Sequence, residues 1–383
     1  MSKCKIEIYA DNAATTRLSD TAWEAMQPFL REQYGNPSVL YRLGREARKA
    51  MEAARTQIAQ QLGAQNTELF FTSGGSEADN WAIKGTMARL AKQGKRHLIT
   101  SCVEHPAVLN SAKQLEKEGC SVTYLPVDNE GRVSVESVRE ALRPDTALVS
   151  IQYANNEVGT IQPIAEIGAL CHAAGVLFHT DAVQAVGTLP IQVKEQNIDL
   201  LSLSAHKFHG PKGIGAFYCR KGAFPLNLID GGKQEHNHRA GTENVAAIVG
   251  MAAALEEACA EREERNARVQ MIRNAVQKEL TQLPGAHING GGAVRLPGIL
   301  NVAFDGMDGQ SLIYEMDLRG VAVSSGSACT AGTIEASHVL LAMGLPYPQA
   351  HGSIRLSFGR YNTTKEVKPI VQAVRESLAA CRI

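Results

Sequence analysis

The chain has 383 residues, 44% of them hydrophobic and 20% charged, with 39 basic and 39 acidic side chains and so no formal net charge. That length calls for a large core with a smaller lobe, and the charge balance argues against a basic nucleic-acid or anionic-membrane surface. The first ten residues carry Lys3, Lys5 and Glu7 rather than the apolar core of a signal peptide. No apolar run approaches the ~20 residues of a membrane span, so a cytoplasmic protein is expected, with neither membrane nor nucleic acid as partner.

From about residue 69, short apolar runs alternate with helical patterns. Strands are predicted at 69–72, 97–101, 122–125, 147–152, 176–180, 200–203 and 214–218. Helices are predicted at 76–92, 106–117, 135–142 and 164–174, the last stopping at Gly175. Near-continuous apolar strands between helices predict an α/β fold with a mostly parallel seven-stranded sheet, with room for an antiparallel strand. Residues 244–283 read as a long helical connector. Beyond Pro284, strands at 299–304, 321–324 and 354–358 alternate with helices near 310–318, 337–343 and 364–380, which predicts a smaller α+β lobe. The expected division is a large domain over 16–262 and a small one over 1–15 with 263–383.

In open α/β sheets, ligands sit beyond the carboxyl ends of strands. Four such ends are unusual. Ser73-Gly74-Gly75-Ser76-Glu77 follows the first strand; Ser76 reads as a helix cap with Asp79 as its capping-box partner, or as the start of a phosphate cradle. Asp181 ends another strand, where an acid caps a helix or binds a ring nitrogen or a metal. Lys207, in Ser204-Ala205-His206-Lys207, is either a loop lysine or a desolvated amine able to form a Schiff base. His105, in Glu104-His105-Pro106, would by itself be structural. Taken together they supply a phosphate cradle, an acid, an aldehyde-reactive lysine and a stacking ring, the parts that pyridoxal 5'-phosphate (PLP) needs.

The eight cysteines are scattered, with no C-x-x-C pair, so neither a disulfide framework nor a zinc site is indicated. Cys102 and Cys219 fall in strand-like runs, and Cys171 and Cys259 in helix-like runs, where a cysteine serves as a small apolar side chain. Cys329 follows Ser324-Ser325-Gly326-Ser327-Ala328, a polar loop with no apolar face to fill.

The sequence resembles the cysteine desulfurases of the NifS/IscS type, on the PLP-dependent class V aminotransferase fold. The resemblance covers almost the whole chain, in order. It runs through Asp11-Asn12-Ala13-Ala14-Thr15-Thr16, Gly35-Asn36-Pro37-Ser38, Phe71 to Glu77 and Glu104-His105-Pro106-Ala107-Val108. It continues through Asn155-Asn156-Glu157-Val158-Gly159, His179 to Gln184, Ser204 to Lys207 and Arg239 to Asn244, then Ser325 to Cys329 and Ile354-Arg355-Leu356-Ser357.

The resemblance implies a role for each matching residue. Lys207 joins the cofactor aldehyde and later shuttles the Cα proton. Asp181 pairs with the pyridine nitrogen, Gln184 with the ring hydroxyl, and His105 stacks on the ring and acts in proton transfer. Gly75, Ser76, Ser204 and His206 bind phosphate, and Thr242 reaches the partner subunit's phosphate in a homodimer. Arg355, helped by Asn156, clamps the carboxylate of L-cysteine. Cys329 accepts the sulfur as a persulfide, L-alanine leaves, and the sulfur passes to an iron–sulfur scaffold protein or another acceptor. The one metal connection implied is indirect, from the Cys329 persulfide to a cluster on that partner. The long loop from Ser324 to His338 would carry Cys329 between cofactor and acceptor.

Some positions depart from the family pattern. Lys233, His236 and Asn237 replace commoner residues in a loop expected at the substrate entrance, and Tyr41 stands at a usual histidine position. Ser76, Ala78 and Asp79 depart from a Thr-Glu-Ser-Asn pattern around Glu77, though Ser76 keeps the hydroxyl, and these departures are expected not to touch the cofactor core. The chain ends at Ile383, which implies a shorter tail for docking a scaffold. The rival readings are a selenocysteine lyase or other class V PLP enzyme, which needs no loop cysteine, and a non-catalytic scaffold. The scaffold would have lost Lys207, Asp181, Arg355 or Cys329.

Overall fold

The computed structural model describes residues 8–325 and 336–381. Its strands, in chain order, are β1 (Ile8–Tyr9), β2 (Leu69–Thr72), β3 (His97–Ser101), β4 (Ser121–Leu125), β5 (Thr146–Ser150) and β6 (Leu177–Asp181). They continue with β7 (Leu200–Ser204), β8 (Gly215–Cys219), β9 (Ala286–Asn289), β10 (Ile299–Phe304), β11 (Val321–Ala322) and β12 (Ser353–Ser357). Seven of them form one mixed sheet in the order β2-β8-β7-β6-β5-β3-β4. β8 runs antiparallel to both its neighbours, and the remaining pairs are parallel. β2, β3, β5, β7 and β8 are buried at every position, which is why they read as unbroken apolar runs.

Helices cover both faces. Pro106–Lys117 starts with proline at its first position, where a missing N–H costs nothing. Ile164–Ala174 ends on Gly175 at φ 64°, a left-handed cap that glycine adopts without strain. The alanine-rich Val245–Ala260 is buried on most of its surface and packs against Asp20–Arg31 and Arg42–Gln61. It breaks at Glu261 before Arg262–Leu280, so the expected connector is two helices.

A second core gathers Ile8 and Ala10 with residues from Val269 to Leu378. There β10 lies between β9 and β12, both antiparallel to it, and β1 pairs parallel with β11. Among the described residues, no helix is long and apolar enough to cross a membrane.

Residues 233–237 were expected at the substrate entrance; none of them lines the central cavity described below. Glu235 instead turns inward, with its backbone at φ 45° and those of His236 and Asn237 at 57° and 69°. Its carboxylate takes both terminal nitrogens of Arg55 at 2.8 Å and the Phe71 N–H at 2.8 Å. The contact therefore seals the edge of β2 as well as pairing a buried guanidinium. Glu235→Ala would remove the buried partner of Arg55, whose side chain is 1% exposed, and leave it Glu52, at the edge of the site, and the Leu69 carbonyl. The expected cost is about 3–5 kcal/mol in denaturant unfolding; a loss under ~1 kcal/mol, as for surface pairs, would show that the pair adds little.

Candidate active site

The carboxyl ends of β2, β3, β5, β6 and β7 open into one cavity of about 960 Å³. Gly75, Ser76, His105, Asn156, Asp181 and Gln184 line it, as do Ser204, His206, Lys207 and Arg355. Residues up to 344 positions apart in the chain meet here, as in the pairing of Arg355 with Asp11.

Lys207 ends the short turn Ala205–Lys207 that follows β7. Its Nζ donates to the carbonyls of Ala13 at 2.5 Å and Ala14 at 2.9 Å, and Gln184 Nε2 donates to the same Ala13 carbonyl at 2.9 Å. The 13–16 segment is held in place by Thr16, whose N–H and hydroxyl both donate to the His206 carbonyl. Burial, and then the charge of Arg355, push the Lys207 amine down to about 8. Far more of it is neutral near pH 7 than in an ordinary lysine, and the neutral amine is the nucleophile.

Asp181 ends β6, buried, with Oδ1 accepting the Val183 N–H at 2.9 Å. Burial raises its pKa, opposed by His105 and Lys207. His105 precedes Pro106–Lys117, and its Nδ1 accepts the Ala107 N–H at 3.1 Å. That bond leaves the ring proton on Nε2. Burial lowers the pKa of His105, so the ring is neutral and suited to stacking.

The capping box expected at Ser76 and Asp79 is absent. The helix Gly75–Asn80 starts one residue earlier, after Gly74, and Ser73 N–H is taken by Glu77 Oε2 at 2.8 Å. Asp79 instead points into the site beside Asp181 and His105, so that departure from the family pattern lies at the core rather than away from it. Gly74 has φ 155°, and a Cβ on Gly75 would sit 2.6 Å from Val183 Cγ2. The backbone N–H groups of Gly75 and Ser76 precede the first intrahelical bond, from Ala78 to Gly74. With the Ser204 and His206 side chains on the same wall, the arrangement fits a phosphate.

Arg355, in β12, donates to the Asn156 carbonyl and to Asp11 Oδ1, both at 2.8 Å, while its Nε is buried without a partner. A carboxylate oxygen would satisfy that donor. Its backbone pairs with Ser324, so β12 is joined to the segment that precedes residue 326. Ser324 and Ser325, and further along the chain Ala336, Ser337 and His338, line the cavity. Cys329 itself lies outside the described residues. Thr242 and Tyr41 are exposed, and neither lines this chain's cavity.

Sequence reasoning passed over several residues that build the site. Glu104 is buried, with Gln152 N–H and Ser101 Oγ donating to its carboxylate, and burial lifts it to about 8. Glu157 takes the Ser337 hydroxyl, and His338 Nε2 donates to the Glu104 carbonyl at 3.0 Å. Together they tie Ser337 and His338 to the wall that holds His105. Cys102, read as a strand filler, lies just past β3 and lines the cavity. The quoted motifs contained both glutamates, but nothing in their spacing set them apart from surface acids.

A family model described as aminotransferase class-V matches residues 8–370. Cysteine desulfurase IscS of Methanosarcina thermophila is 48% identical over 98% of this chain and 93% of its own length. Cysteine desulfurase IscS of Dictyoglomus turgidum is 50% identical over 94% of this chain and 92% of its own length. Among solved structures, a NifS-like protein aligns with a TM-score of 0.92 at 41% identity, covering 97% of this chain and 99% of that one. A structure titled SspA in complex with cysteine aligns with a TM-score of 0.83 at 38% identity, covering 93% of this chain and 100% of that one. The chain belongs to the class-V aminotransferase family, and within it to the cysteine desulfurases.

Proposed function

We propose that the cavity holds PLP and L-cysteine together, and that the sulfur leaves cysteine for Cys329. The observation that carries this reading is the meeting, in one cavity, of a desolvated lysine, a buried acid, a glycine-shaped anion cradle and an arginine with an unmatched donor. When bound, the cofactor supplies an aldehyde for the Lys207 amine and an electron sink for charge developing at Cα. Gly75, Ser76, Ser204 and His206 hold its phosphate, Asp181 its ring nitrogen and Gln184 its ring hydroxyl, and His105 covers one ring face.

Arg355 fixes the carboxylate of cysteine from the Asn156 side of the cavity. Lys207 removes the Cα proton and is placed to return it. The Cys329 thiolate attacks the substrate sulfur, so that an S–S bond forms as the Cβ–S bond breaks. Cβ then gains a proton and L-alanine departs. The persulfide passes to an acceptor, an iron–sulfur scaffold protein or another thio-compound pathway component. In a homodimer, Thr242 serves the neighbouring subunit's phosphate. The two largest hydrophobic clusters among the described residues support the division into 16–262 and 1–15 with 263–383, with Cys329 in the smaller part. The balanced charge and the absence of a membrane-length helix among the described residues support a cytoplasmic protein.

Arg355→Ala separates substrate binding from cofactor binding. Loss of a charged hydrogen bond costs ~1.5–3 kcal/mol, so KM for cysteine should rise roughly tenfold to a hundredfold, while PLP still colours the protein. Cysteine binding at normal strength would place the carboxylate clamp on another residue.

A further inference from the structure

Behind Asp181 lies a second carboxyl group, Asp79, which is 1% exposed. One side-chain atom from each of Asp79, His105 and Asp181 lies within 4.8 Å of the other two. Ser202, in β7, donates a hydrogen bond to Asp79. Oδ1 of Asp79 is buried with no hydrogen-bond partner. His179 Nε2 stands 3.7 Å from that oxygen, beyond hydrogen-bond reach. The imidazole is committed elsewhere, to Ser202 Oγ at 3.0 Å and Ser150 Oγ at 2.8 Å.

The charges around Asp79 leave it without a countercharge. From β6 it faces Asp181 and His179, from the end of β3 Glu104 and His105, and from β7 only the Ser202 hydroxyl. Burial pushes His179 down to about 3 and lowers His105, so neither ring is cationic near pH 7. Lys207 bears on Asp181 and His105. Two carboxylates this close, out of water and without a cation between them, do not both ionise. Asp181 has the better claim to the charge, because the Val183 N–H and Lys207 favour its ionised form.

We propose that Asp79 is a positioning residue that stays protonated beside Asp181, so that the pair carries one negative charge and Asp181 holds it toward the cofactor's ring nitrogen. The proposal rests on the reading of Asp181 as the ring-nitrogen partner. No donor reaches the buried Oδ1 to hold a negative charge there, and burial of the site keeps the carboxyl proton well above the ordinary carboxyl range.

Asp79→Asn keeps the shape and a donor but removes the titration. In the full-length protein at neutral pH, the infrared difference between wild type and Asp79→Asn should contain a carboxylic-acid carbonyl band that only the wild type shows. Thermal unfolding gives a second test. Folded Asp79 keeps a proton that the unfolded chain releases above about pH 4, so the folded state binds more protons and wild-type stability falls as pH rises from there toward neutrality. Asp79→Asn escapes that loss, and its melting temperature should climb relative to wild type across the same window. A difference spectrum with no acid band, or a melting difference that stays flat with pH, would overturn the proposal. Asp181→Asn tests the underlying reading separately: an unaltered cofactor absorbance in that variant would remove Asp181 as the ring-nitrogen partner, whatever Asp79→Asn shows.

Discussion

Replacing Lys207 with alanine is expected to abolish covalent capture of PLP and to lower alanine formation by about 10²–10⁴-fold, the usual contribution of a positioned proton-transfer group. The loss should exceed that of any other single change in the cavity wall, because the same amine both attaches the cofactor and moves the Cα proton. In the unmodified chain, capture should rise with pH through about 8 and then level off, since burial and Arg355 hold the amine there. An ordinary lysine would go on gaining neutral amine to about pH 10. Borohydride reduction followed by peptide mapping identifies the lysine. Capture by Lys207→Ala on another lysine, with alanine still formed, would contradict the assignment.

Replacing Cys329 with serine should produce the other large effect, of a different kind. Serine is nearly isosteric, and the walls that hold the cofactor come from other elements. The variant should keep its fold and its yellow colour and still bind cysteine. Sulfur transfer should then stall, because a hydroxyl is a far weaker attacker of sulfur than a thiolate. Alanine released at near the normal rate by Cys329→Ser would favour a lyase that needs no loop cysteine.

The sequence revealed the sheet better than the packing around it. The strands at 69–72 and 97–101 and the helices at 106–117 and 164–174 fall where their apolar runs, Pro106 and Gly175 place them. Those signals are local, and local chemistry decides them. Asp20–Arg31 contains Pro28, and Arg42–Gln61 contains Gly44 and many charged residues, so neither offered a clean helical signal. Both are held by tertiary contact with Val245–Ala260. Likewise, Asp79 sits three residues after Ser76, a spacing that suits a capping box. Starting the helix at Gly75 instead turns Asp79 into the site. Only the three-dimensional neighbourhood of β6 and β3 separates the two outcomes.

The site shows the same division. Lys207, Asp181 and His105 were legible because each ends or follows an apolar strand, where a polar side chain needs a reason to be. Glu104 and Glu157 were not, since their work is to hold backbone N–H groups, hydroxyls and the end of a loop brought in from remote parts of the chain. Glu235 was read as part of an entrance loop, and its partner Arg55 lies 180 positions away. Pairings at that range leave no periodic trace.

The most direct test of the account is to treat the wild-type, PLP-loaded protein with L-cysteine, trap its thiols and map the peptides by mass spectrometry. The account predicts one added sulfur on the peptide containing Cys329, with alanine formed alongside it, and none on Cys102, which shares the cavity. Sulfur found on Cys102 instead, or alanine formed with no protein-bound sulfur at all, would contradict it.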